Sequence, residues 1–148
     1  MSLIMIEGAD NTGKTTLAEK LLKWDPRRLQ LWNKQVRGPK DRVTYLKELD
    51  QVLKIAFDKD QRVPVTDRLY FVEFAYRNVL KDKPITFSLS DQEVLETLIK
   101  LTNPLVIHCK VSPEVIAKTY SEREQLPSYE QNIRVMEEYD AIFAEVVP

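Results

Sequence analysis

Residues 3 to 7, LIMIE, form a continuous apolar run closed by a glutamate. A short apolar block without alternation marks a strand buried on both faces, as in a parallel sheet. Leu17, Ala18, Leu21 and Leu22 then recur at helical spacing up to Asp25-Pro26, where proline disfavours helix for the residue before it. RLQLWNKQ reads as a second strand with Leu29, Leu31 and Asn33 on one face. After the loop VRGPK, residues Val43, Leu46, Leu49, Leu53, Ala56 and Phe57 keep a helical period between Asp41 and Lys59. RVPVTDR is a third strand, with Pro64 near its start, where a missing amide is best tolerated. Helical pattern returns from Tyr70 to Leu80 and again in SLSDQEVLETLIKL, where Ser90 and Glu93 stand at capping-box spacing. PLVIHCKV is a fourth strand. Ser112 and Pro113 supply a cap and a first-turn proline for a helix reaching Glu122. Ser128 and Gln131 open a last helix whose apolar stripe is Ile133, Met136, Tyr139 and Phe143.

Strands alternating with helices predict an α/β protein of three layers, a parallel sheet flanked by helices, with ligands bound at the carboxyl ends of the strands. Four strands are evident, and AIFAEVVP at the C-terminus reads as the approach to a fifth. With 148 residues, the chain is expected to form a single domain spanning 1–148.

Charge narrows the partners. Lys and Arg number 22 against 23 Asp and Glu, a formal net charge of -1, which argues against bulk attraction to nucleic acid or an anionic membrane surface. No apolar run approaches the roughly 20 residues of a membrane span. The single cysteine, Cys109, excludes an internal disulfide or a cysteine-built zinc cluster and points to a reducing, cytoplasmic setting. It and the single histidine, His108, read as ordinary residues of the fourth strand.

The glycine loop changes the picture most. Two of the three glycines, Gly8 and Gly13, bracket G-A-D-N-T-G-K-T, which satisfies G-x-x-x-x-G-K-[ST] between a strand and a helix. Bare backbone at Gly8 and Gly13 lets the loop through Asn11 and Thr12 curl with its amides inward on phosphate oxygens, and the helix N-terminus adds partial positive charge. Lys14 then places an ammonium on the transferring phosphates, and the Thr15 hydroxyl is a magnesium ligand. The pattern calls for a nucleoside triphosphate, ATP, with Mg2+. The only Asn-Lys pair, Asn33-Lys34, continues into Gln35 and Val36, so the guanine-reading Asn-Lys-x-Asp of a GTPase is missing. At this length a small-molecule kinase fits better than a motor or transporter ATPase. Asp67 and Arg68, closing the third strand, supply a carboxylate for the metal and a guanidinium for phosphate.

These residues resemble the thymidylate kinases and related P-loop deoxynucleoside monophosphate kinases. Glu7-Gly8-Ala9-Asp10-Asn11-Thr12-Gly13-Lys14-Thr15-Thr16 reproduces that family's Glu-Gly-x-Asp-x-x-Gly-Lys-Thr-Thr, and Asp67, Arg68, Ala75 and Tyr76 match its later Asp-Arg-Tyr-x-x-Ser-x-x-Ala-Tyr-Gln. VSPEVIAKTYSER looks like the helix leading into its lid, here near 121–128, with Arg123 the lid arginine. The resemblance implies that Asp10 approaches the acceptor's sugar hydroxyl, that Arg68 lies between donor and acceptor phosphates, and that Tyr76 walls the acceptor pocket with Arg77 beside it. It also implies a homodimer. Val72 and Arg77 depart from the family's polar residues, and VRGPK, with Arg37, is a loose counterpart of its Arg-Glu-Pro-Gly-Gly.

Two acceptors remain open. A nucleoside 5'-hydroxyl needs a carboxylate base near the end of the second strand, whereas a nucleotide phosphate is already anionic. RLQLWNKQVRGPK holds no Asp or Glu but holds Lys34, Arg37 and Lys40, which favours a deoxynucleoside monophosphate such as dTMP. A deoxynucleoside kinase, and a P-loop protein that binds nucleotide without transfer, are the other readings.

Overall fold

The computed structural model describes residues 2–32, 42–71, 74, 75, 79, 89–122 and 128–146. Four strands, β1 (Ile4–Glu7), β2 (Leu29–Trp32), β3 (Val63–Asp67) and β4 (Leu105–His108), form one sheet in the order β2-β3-β1-β4. Every neighbouring pair is parallel. The helices are α1 (Lys14–Trp24), α2 (Arg42–Phe57), α3 (Leu89–Leu101), α4 (Pro113–Glu122) and α5 (Tyr129–Val146). Phe71, Phe74, Ala75 and Val79, within the expected Tyr70–Leu80 segment, are also helical.

β1 is central, and all four of its residues are buried. Its side chains alternate between the two faces of the sheet, as the period of a strand requires. Met5, following Leu3, packs with Tyr45, Leu49 and Val52 of α2 and Leu95 and Ile99 of α3. Ile4 and Ile6 pack instead with Ala18 of α1, Leu29 and Val65. A third cluster joins Ala9, just past β1, to Ala75, Val79, and Val135 and Tyr139 of α5. The order of strands reverses at β1, with β3 on one side and β4 on the other. That is the switch point at which open parallel sheets bind ligands.

The sheet corrects the expected faces in three places. In β2, Leu29 is buried but Leu31 is 42% exposed, and Trp32 on the opposite face is buried against the α2 and α3 side. β2 is the edge strand, so Leu31 has no strand beyond it to shield it. In α2 the buried line runs through Tyr45, Leu49, Val52 and Ala56, while Val43 and Phe57 are exposed. In α5 it runs through Asn132, Val135 and Tyr139; of the expected stripe Ile133, Met136, Tyr139 and Phe143, Tyr139 is fully buried and Met136 and Phe143 pack partly buried against the same cluster. α3 begins at Leu89, so Ser90 lies inside its first turn instead of capping it. At α5 the capping box forms: Gln131 N–H donates to Ser128 Oγ at 3.3 Å, and Ser128 N–H donates to Gln131 Oε1 at 3.0 Å. Among the described residues, no helix is long and apolar enough to cross a membrane.

Candidate functional site

β1 pairs Ile6 with Asp67 of β3 and Glu7 with His108 of β4, so the loop leaving β1 and the turn leaving β3 emerge side by side. The Arg68 N–H extends that ladder by donating to the Ile6 carbonyl at 2.8 Å.

Gly8 sits where β4 passes closest. A Cβ there would collide with the Cys109 carbonyl oxygen and lie 2.9 Å from Thr12 Oγ1, so no larger residue fits without moving the strand. Gly13 has φ 85°, a left-handed backbone that costs other residues roughly 1–2 kcal/mol, and it turns the loop into α1. α1 has no side-chain cap and no acid in its first turn. Its first amides and the positive end of its dipole are therefore left to an anion.

Lys14 is buried, and its ammonium donates to the Ala9 carbonyl and, at 3.3 Å, to Thr12 Oγ1. The Thr12 hydroxyl donates in turn to the Ala9 carbonyl at 2.8 Å. Burial first, then the nearby Arg68 guanidinium, lower the Lys14 pKa to about 8 against the opposing pull of Asp67, Asp10 and Glu7. Thr15 Oγ1 donates to Asp67 Oδ2 at 3.2 Å. Two hard oxygen donors thus meet beside the loop, a set that suits a divalent cation with oxygen preference. Asn11, at φ 62°, and Thr16, in the exposed first turn of α1, complete the predicted loop.

Arg68 follows β3 in a left-handed conformation, φ 61°, which is uncommon for a residue with a Cβ. Its Nε donates to the Gly8 carbonyl at 3.2 Å and its terminal nitrogen donates to Asp10 Oδ1. The structure therefore brings together Gly8, Asp10, Asn11, Thr12, Gly13, Lys14, Thr15, Thr16, Asp67 and Arg68. Arg37, Tyr76, Arg77 and Arg123 lie outside the described residues.

Three further residues shape the site: Glu7, at the head of the motif, and Asn132 and Tyr139 of α5. Glu7 is fully buried, and its Oε1 accepts the backbone N–H groups of Leu69, Tyr70 and Phe71 at 2.9, 3.0 and 3.1 Å. Its Oε2 accepts the Tyr139 hydroxyl at 3.1 Å. One carboxylate so caps the turn that carries Arg68 and ties it to α5. Asn132, also fully buried, accepts the Asp10 N–H and donates to the Asp10 carbonyl, both at 2.9 Å. The sequence signal for Glu7 was an acid ending an apolar strand; for Asn132 it was a polar residue in line with Val135 and Tyr139.

His108 stacks on Phe143, ring centroids 4.5 Å apart, and burial lowers its pKa. Burial likewise raises the pKa of the Cys109 thiol, which keeps it protonated at neutral pH. Both are packing residues.

Fold and loop together define a class: a parallel α/β sheet with a phosphate-binding glycine loop at its switch point. The chain matches the YorR protein of Bacillus subtilis, solved in complex with phosphorylated GDP, over 98% of its own length and 81% of that chain, with TM-score 0.69 and 20% identity. It also matches the deoxyadenosine kinase of M. mycoides, solved with the product dCMP and a flexible dCDP, over 98% and 85% of the two chains, with TM-score 0.59 and 16% identity. No protein-family model and no curated protein sequence matches the chain.

Proposed function

We propose that the chain transfers the γ-phosphoryl group of ATP, with Mg2+, to a deoxynucleoside monophosphate, dTMP or a related nucleotide, giving the diphosphate. The observation that carries the reading is the meeting, at the ends of β1 and β3, of a phosphate cradle, the Thr15–Asp67 pair and Arg68. The loop amides and the α1 N-terminus hold the donor phosphates, and Lys14 turns from Ala9 onto them. Thr15 and Asp67 hold magnesium, which supplies charge neutralisation when bound. Arg68, braced on Gly8 and Asp10, lies where donor and acceptor phosphates meet and offsets their repulsion. Catalysis on this reading is alignment and electrostatics, with no covalent intermediate. Asp10 at the sugar, Arg37, Tyr76 and Arg77 at the acceptor, Arg123 in a lid at 121–128, a homodimer and a cytoplasmic setting extend it through the family resemblance.

The carboxylates support a phosphorylated acceptor. Glu7 is engaged by three amides and a hydroxyl, Asp10 by Arg68 and Asp67 by Thr15. Among the described residues of the site, each of these carboxylates already has a structural or metal-holding part, whereas a nucleoside hydroxyl benefits from a carboxylate base. A deoxynucleoside acceptor is the second reading, because a deoxyadenosine kinase shares the fold. ADP formation with a panel of nucleosides and nucleoside monophosphates separates them. Turnover with monophosphates is expected, and turnover with nucleosides alone would replace the first reading by the second.

Two outcomes follow from the site chemistry. Thr15→Val and Asp67→Asn should each raise the magnesium concentration needed for half-maximal rate by at least about tenfold; an unchanged magnesium titration in both would remove the metal assignment. The second concerns pH. Lys14, with its pKa near 8, is an ammonium below that pH and must take up a proton to meet phosphate above it. Nucleotide affinity should therefore fall by up to about tenfold per pH unit above pH 8, with binding taking up a proton. Calorimetry at pH 9 in buffers of different ionisation enthalpy measures that uptake, and its absence contradicts the Lys14 contact.

A further inference from the structure

The buried line of α5 is broken by one polar side chain. Asn132 stands between Val135 and Tyr139 on one side and the phosphate loop on the other, and no part of it reaches solvent. Burying a carboxamide is costly unless its donor and acceptor are both used. Both are used here on a single residue: the Asp10 N–H and the Asp10 carbonyl, each at 2.9 Å. Two bonds to opposite sides of one α-carbon fix the backbone on both flanks and hence the direction of its Cα–Cβ bond. The clamp acts one residue before Asn11, whose φ of 62° lies in a sparsely populated region that surrounding contacts must hold.

The Asp10 side chain, so directed, carries the guanidinium of Arg68. That pair is partly open to solvent, with side chains 20% and 22% exposed, while Asn132 is fully buried. A connected path therefore runs from α5 through the loop to the end of β3. On the phosphoryl-transfer reading given above, we infer that Asn132 is a positioning residue for the reaction: it holds Asp10 so that Asp10 sets Arg68 between the two phosphates. Asn132 reaches the phosphate loop through Asp10 and makes no bond to Gly8, Gly13 or the first turn of α1 among those above, so the large effect falls on transfer and only a small one, through Asn11, on donor binding.

The test is a double-mutant cycle read in kcat, in ATP affinity and in thermal stability. Asn132→Ala should lower kcat by about 10²-fold, the scale of a misplacement near 1 Å, and change the ATP Kd by less than about threefold. Asp10→Ala should lower kcat comparably. In the Asp10→Ala background, Asn132→Ala should lower kcat no further, because the side chain it directs is gone. It should still lower Tm in that background, because the Asp10 backbone groups still lose their partners. That separation of rate from stability distinguishes positioning from a purely structural part. If Asn132→Ala does not fold, Asn132→Ser, which keeps a hydroxyl for one of the two bonds, should show a smaller loss of the same kind. Asn132→Ala with kcat within about twofold of the unaltered enzyme, or losses that multiply in the double variant, would overturn the inference and leave the proposed reaction standing. An unaltered enzyme that turns over no acceptor would remove both.

Discussion

Lys14→Ala is expected to lower phosphoryl transfer by about 10³-fold while the protein stays folded and loses no stability. The rate effect follows from deleting the one cation placed inside the phosphate loop. The stability effect follows from the sign of its titration. Burial lowers the Lys14 pKa from 10.5 to about 8, so the folded state holds the proton less tightly than the unfolded chain. At neutral pH the folded protein bears the cost of a buried ammonium, a cost relieved only as pH rises from about 8 towards 10.5, where the unfolded chain binds the additional proton. Removing the amine relieves that cost below about pH 8, where it is fully present. Thermal melts of both proteins at pH 7 check this, and a Tm clearly below that of the unaltered chain would mean that the Lys14 bonds to Ala9 and Thr12 outweigh its desolvation. On the proposed reading, Lys14 is thus held for a polyanion at some expense to the fold, as functional groups often are.

Glu7→Ala is expected to do the opposite, lowering stability by about 3 kcal/mol or more, near 10 °C in Tm for a chain of this length. Three backbone N–H groups and the Tyr139 hydroxyl would lose their common acceptor in a site without solvent. Glu7→Gln makes the comparison decisive. Its carbonyl oxygen can accept the same three amides and its amino group can donate to the Tyr139 oxygen, so it should cost only about 1 kcal/mol. Equal losses in the two variants would show that the charge at the start of the turn, and not its hydrogen-bonding geometry, is what matters. Because the turn carries Arg68, the Ala variant should also lose transfer in the fraction that remains folded.

The donor half of this site was legible in the residues because its chemistry is local. Gly8 to Thr15 is one continuous loop, and the apolar run before it and the helical spacing after it announce their elements without reference to the rest of the chain. The meeting of Thr15 with Asp67 needed one more step, two parallel strands side by side, and strand periodicity supports that step. The burial of Glu7 and Asn132 escaped for a different reason. Periodicity scores polar residues as solvent-facing, whereas Glu7 and Asn132 are fully buried because partners far along the chain satisfy them: Tyr139 is 132 positions from Glu7, and Asn132 is 122 from Asp10. The same blindness left Asn132 out of the α5 stripe. In β2, periodicity alone does not show that the strand lies at the edge of the sheet, where Leu31 is exposed and Trp32 is buried. The acceptor half is carried by the resemblance alone, since Arg37, Tyr76, Arg77 and Arg123 lie outside the described residues.

The most direct measurement follows the label from γ-phosphate-labelled ATP in the presence of Mg2+ and a deoxynucleoside monophosphate, with the Lys14→Ala variant alongside. The account predicts label in the β-phosphate of a deoxynucleoside diphosphate, formed in step with ADP and lost in the variant. Label recovered only as unreacted ATP or as inorganic phosphate, with ATP bound tightly and no acceptor phosphorylated, would contradict it.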